Sequence, residues 1–158
     1  MEIKRNDIEQ SNDVEDILYE LTQKYYPDYD NFEKLDIVSQ TFVLIVDADG
    51  QINNGGIVQF IDNSTGNRFL ETIDASKRIK SDSLLNILTR ITIQFPNKQI
   101  PQDWNKRRII WDKLCEQHEN DDNWEKFWEK LDDSYYANSK EIYQNLIDYL
   151  KNNAKIIE

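Results

Sequence analysis

Trp124, Phe127, Trp128 and Leu131 stand at i, i+3, i+4 and i+7, with Glu125, Lys126, Glu129 and Lys130 between them. A helix with about 3.6 residues per turn gathers the four apolar residues into one stripe and turns the charges away from it. Such a stripe is stable only when it is covered, so the segment demands a packed, multi-helix neighbourhood. The rest of the chain offers the partners. Ile17, Leu18, Leu21 and Tyr25 follow at helical spacing, with Asn12 and Glu15 placed as a capping box before them and Pro27 as a stop. Ser81 is a cap for a helix carrying Leu84, Leu85, Leu88, Ile91 and Phe95, which ends at Pro96.

Other segments fill in the bundle. Phe69, Leu70 and Ile73 predict a helix starting near Ser64. Trp104, Arg108, Trp111 and Cys115 mark another after the loop Asn97–Gln102. Asn138 and Glu141 have the spacing of a further capping box, opening a last helix with Ile142, Leu146, Tyr149 and Leu150. Residues 37–62 read two ways. Leu35, Val38, Phe42 and Ile45 share a helical face, yet Phe42–Val46 is also an unbroken apolar run, and Asp49-Gly50 and Asn54-Gly55 are hairpin turn signals. Residues 1–11 are polar and charged and are expected to form a flexible lead-in to a single domain over 12–158.

The 158 residues suit one domain large enough to need neither metal nor disulfide. One cysteine, Cys115, and an N-terminus without an apolar stretch predict a cytoplasmic protein. No apolar run approaches the ~20 residues of a membrane span. Thirty Asp and Glu oppose nineteen Lys and Arg, giving a formal charge of −11. Nucleic acid and anionic membranes repel such a surface, and a basic protein is drawn to it.

Sites for chemistry are sparse. Cys115 and His118 are three residues apart, within reach on a helix, but no third group or oxyanion hole is visible to complete a nucleophile pair. Packing of Cys115 in the core and a helix-end place for His118 are the plainer expectation. The run DADGQI places Gly50 and Ile52 as a calcium loop would, yet Ile45 and Gly56 then occupy the first and twelfth positions, where acids are required. One Cys and one His do not make a zinc site. Gly55-Gly56 lacks the Lys-Ser/Thr of a phosphate loop. Lys106, Arg107 and Arg108 form the one basic cluster and are expected to pair with nearby carboxylates. No catalytic residue, metal or cofactor is therefore assigned.

The segment Gln51-Ile52-Asn53-Asn54-Gly55-Gly56-Ile57-Val58-Gln59-Phe60, followed by Asn63-Ser64-Thr65-Gly66, resembles the signature of a bacterial family of small acidic DNA-mimic proteins, mostly a domain of unknown function. Phe95-Pro96, Pro101, Arg107 or Arg108, and Leu131-Asp132 with Tyr135-Tyr136 extend the resemblance over roughly residues 32–153. Ile57 stands where the family usually has an aromatic, and Ile73-Asp74-Ala75 replaces an Ile-Gly-Ala turn. The resemblance implies an all-α single-domain bundle, which turns residues 37–62 towards helix–turn–helix. Asn54, Gln59 and Asn63, with Gly55 and Gly56 allowing a tight entry, are then expected to form a structural polar knot rather than a small-ligand pocket, and Asn53 and Gly66 complete the structural signature.

For function, the resemblance implies an acidic protein that occupies the DNA-binding surface of a transcription regulator or other basic protein. The carboxylates expected to meet it are Glu119, Asp121, Asp122, Glu125, Glu129, Asp132 and Asp133. No enzymatic activity, direct nucleic-acid contact or membrane contact is expected; the oligomeric state stays open. An immunity or antitoxin protein neutralising a toxin enzyme is the alternative, and a small-ligand-binding domain the second.

Overall fold

The computed structural model describes residues 1–27 and 29–158. A short strand β1 (Glu2–Lys4) leads into α1 (Arg5–Glu9) and α2 (Val14–Tyr25). A 3-10 turn precedes the long α3 (Ile37–Asp62), and another, Ser64–Arg68, precedes α4 (Phe69–Arg78). Then follow α5 (Asp82–Gln94), α6 (Trp104–Gln117), α7 (Asp122–Asn153) and a strand β2 (Lys155–Ile157). The all-α bundle is as expected. No helix among the described residues is long and apolar enough to cross a membrane.

α3 is the central element. It packs against α4, α6 and α7, while α7 also touches α2 and α5. Thr41 to Ile45 are buried without interruption, which explains the absence of a helical period there. A helix enclosed on every side needs no polar face. Of the two readings of residues 37–62, the helical one holds: the chain stays helical through Asp49-Gly50, whereas the Asn54-Gly55 signal marks a real break, with Gly55 and Gly56 outside helical geometry.

Several expectations need correction. Residues 1–11 are built into the fold rather than left as a flexible lead-in. β1 pairs in parallel with β2, Ile3 and Ile8 are buried, and Asp7 accepts bonds from Lys24 Nζ at 2.8 Å and the Tyr25 hydroxyl at 2.6 Å. The cap of α2 is Asp13, whose carboxylate accepts from Glu15 N, and not Asn12. No helix starts at Asn138, because α7 runs through it and the Asn138 amide donates to the Ser134 carbonyl instead. Ser81 caps α5 as expected, and α2 and α5 stop before Pro27 and Pro96.

Candidate functional site

The Asn-Gly-Gly segment interrupts α3. Gly56 has φ +76° and ψ −178°, a region open almost only to glycine. Its Cα also lies against Asp132, whose carboxylate would sit 2.8 Å from an added Cβ. Asp132 Oδ1 accepts the Ile57 N–H at 2.7 Å and so caps the restarted helix from another element. In the last turn before the break, the Tyr136 hydroxyl donates to the Ile52 carbonyl at 2.9 Å.

Beyond the break, polar groups close on one another. The amides of Gln59 and Asn63 both donate to Gln51 Oε1, the first at 3.0 Å. Arg107 is 1 % exposed. Its guanidinium donates to the carbonyls of Ile61, Asn63, Pro101 and Gln102 and to Asn67 Oδ1, at 2.6 to 3.1 Å. Burial lowers the pKa of Arg107 from its ordinary value. The expected pairing of the basic cluster with carboxylates is therefore wrong for Arg107, which satisfies backbone carbonyls at the end of α3 and in the loop before α6. Arg108 lies over the Trp104 ring, 5.3 Å from its centroid. Gly66 is needed for close approach, because an added Cβ would meet the Ile61 carbonyl at 2.6 Å. Asn54 is exposed and outside the knot, and Asn53 turns the other way, donating to Asp49 at 2.8 Å.

Asp49 anchors a second polar cluster. Its Oδ1 also accepts from the hydroxyls of Tyr135 and Tyr143, each at 2.6 Å. Burial, with the Asp49 charge beside them, raises both phenol pKa values. Nothing local in the sequence points to this cluster, because Tyr135 and Tyr143 lie 86 and 94 positions from Asp49.

The acidic face is of another kind. α6 and α7 form a hairpin around Trp111, whose ring lies 6.1 Å from Trp124 and 5.0 Å from Trp128. Residues 112–133 carry nine carboxylates against three lysines, which is more than half of the chain's net charge. Glu119, Asp122, Glu125, Glu129 and Asp133 are exposed, and none forms an ion pair with a described residue. At 100° per residue, Asp122, Glu125, Glu129 and Asp133 fall within a sector of about 80° and span about 16 Å. Asp112 and Glu116 on α6 are also exposed and form no ion pair with a described residue, and sequence reasoning passed over them.

Two of the seven expected carboxylates are engaged elsewhere. Asp132 caps the α3 break. Asp121 caps α7, accepting from Asn123 N and Trp124 N, and its Oδ2 lies 3.0 Å from His118 Nδ1. That contact holds the Asp121 pKa below the usual carboxylate value.

His118 sits at the end of α6 and stacks on Trp124, with ring centroids 4.2 Å apart. Cys115 is exposed rather than packed in the core, because α6 instead turns Arg107 and Leu114 inwards. Desolvation, with Asp112 and Asp62 nearby, raises the pKa of its thiol. That disfavours the thiolate a nucleophile needs. No group of three metal-ligating side chains occurs among the described residues.

A model of the DMP19-like protein family matches residues 33–153, which include the α3 break, Arg107 and the whole acidic hairpin. The chain belongs to that family. The matched family region leaves out β1, α1, α2 and β2. No curated protein and no solved structure matches the chain.

Proposed function

We propose that this member of the DMP19-like family binds a basic, DNA-binding protein through the carboxylate edge of the α6–α7 hairpin, and so competes with DNA for it. The observation that carries this reading is the row of exposed carboxylates without ion pairs: Glu119, Asp122, Glu125, Glu129 and Asp133. Like charges one turn apart on a helix cost a few tenths of a kcal/mol per pair. Lys126 and Lys130 stand at the far border of the edge and relieve only part of that. A cationic surface brought against the row would relieve the rest, and opposite fields would speed the encounter.

Binding rather than catalysis is the better account of the site. Cys115 carries a raised thiol pKa, and His118 is held between Trp124 and Asp121. One helix edge does not reproduce a duplex. Its charges recur every ~5.4 Å, against ~3.4 Å along a single DNA strand. Asp112 and Glu116 would supply a second row.

The test is capture from a lysate of the source organism on immobilised protein, eluted with a salt gradient. The expected result is a basic DNA-binding protein that leaves at moderate salt and is displaced by added duplex. Reversing the five carboxylates to lysine should abolish its capture. Capture of a toxin enzyme indifferent to DNA would replace this reading with the immunity one.

A further inference from the structure

A groove of about 460 Å³ runs between α2, α3 and α7, lined among others by Glu15, Tyr19, Asp49, Gly50, Asn53 and Tyr143. We propose that it receives a lysine or arginine side chain of a protein partner, with Asp49 as the counter-ion. This deepens the function proposed above and rests on it only for the source of the cation.

Three observations carry the assignment. The first is charge. Asp49 lines the groove, and all three of its hydrogen bonds fall on Oδ1. Oδ2 accepts nothing from the described residues. Tyr135, Tyr143 and Asn53 hold the carboxylate in place, and none of them neutralises it. The nearby Lys140 goes instead to Glu15, at 3.5 Å between two well-exposed side chains. A carboxylate held in place with no cationic partner among the described residues, in a groove walled by Leu18, Val46 and the Tyr19 ring, suits a group with an apolar stem and a charged head. Tyr19 is 64 % exposed, which leaves its ring free to cover that stem.

The second observation is Gly50. It lies inside α3, exposed, with no heavy atom within 4 Å of where a Cβ would stand. No packing reason excludes a Cβ there, and a glycine inside a helix costs up to about 1 kcal/mol relative to alanine. A bare groove wall is what the glycine provides. The third is position. Ser139 and Tyr143 lie on the side of α7 that also carries Asp132 and Tyr136, about 21 Å along the axis from Glu129 to Tyr143. A basic partner lying along the acidic edge would therefore reach the groove.

The test uses the full chain, ¹⁵N-labelled, titrated with the capped tripeptide acetyl-Gly-Arg-Gly-amide. The neutral isostere with citrulline in place of arginine is the control. Saturable shifts at the Gly50 and Asn53 amides, absent with citrulline, are expected. Asp49→Asn and Gly50→Leu should each weaken binding at least about tenfold. The leucine variant puts a side chain into the groove from a position whose Cβ meets no heavy atom within 4 Å, and it leaves Asp49 in place, so it separates loss of the site from any loosening of Tyr135 and Tyr143 in the asparagine variant. Reversal of the five edge carboxylates should leave the Gly50 shifts in place, which keeps this inference distinct from the partner reading. Equal shifts with citrulline, shifts confined to residues 119–133, or undiminished binding in both groove variants would overturn it. So would spermidine binding at Gly50 more tightly than the peptide, because the cation would then be a free amine.

Discussion

At the end of α3 the polar atoms are bonded to one another, whereas along the outer edge of α7 the exposed carboxylates form no ion pair with a described residue. Gln51, Gln59, Asn63, Arg107 and Asp132 spend their donors and acceptors on neighbouring side chains and on backbone groups that the helix break and the helix end leave open. Glu119, Asp122, Glu125, Glu129 and Asp133 have no such duty. The first region holds the residues on which the family resemblance rests, and it explains the fold. The second carries the field that a partner would feel. Recognising the family from the first region therefore does not determine what the second one binds.

That contrast breaks most visibly at Arg107. Replacing it with methionine keeps much of its length but leaves four backbone carbonyls and Asn67 without their donor. A loss of about 3–5 kcal/mol is expected, read as a fall in the urea midpoint. The control is Arg108→Met, on the exposed side of the same helix, which should stay within about 0.5 kcal/mol of the parent. Partner capture by the folded fraction of Arg107→Met should be unchanged. Equal stability of the two variants would mean that the guanidinium does not hold the end of α3.

Much of the bundle was legible because its helices are amphipathic and punctuated. The stops at Pro27 and Pro96, the Ser81 cap and the Trp124–Leu131 stripe each follow from local chemistry. Legibility ended where the cause was distant in sequence. Ile3 and Ile8 look like strays in a polar segment until β2 arrives from the other end of the chain. Helix α3 hides its period over Thr41 to Ile45, where neighbours cover every face. Of Lys106, Arg107 and Arg108, only the phase of α6 against α3 decides which one turns inwards. The acidic residues were easy to see in sequence, but their division into capping and free groups was not. That division depends on Asp132 meeting a backbone N–H seventy-five positions away.

Asp132 and Asp133 put the two regions one residue apart, and they give the finest test of the contrast. Asp132→Ala removes the cap on Ile57 and the contact with Gly56, so a loss of about 1–2 kcal/mol is expected. Asp133→Ala touches neither and should shift stability by no more than about 0.5 kcal/mol. A slight gain is expected, since alanine is the better helix former and one repulsive charge is gone. Binding should run the other way. Asp133→Ala should bring partner elution to lower salt, while Asp132→Ala should elute with the parent once the unfolded fraction is removed. If both variants lost stability alike, the α7 edge would be part of the scaffold. If both lost binding alike, the α3 break would belong to the interface, and the division between a region that holds the fold and a region that meets a partner would fall.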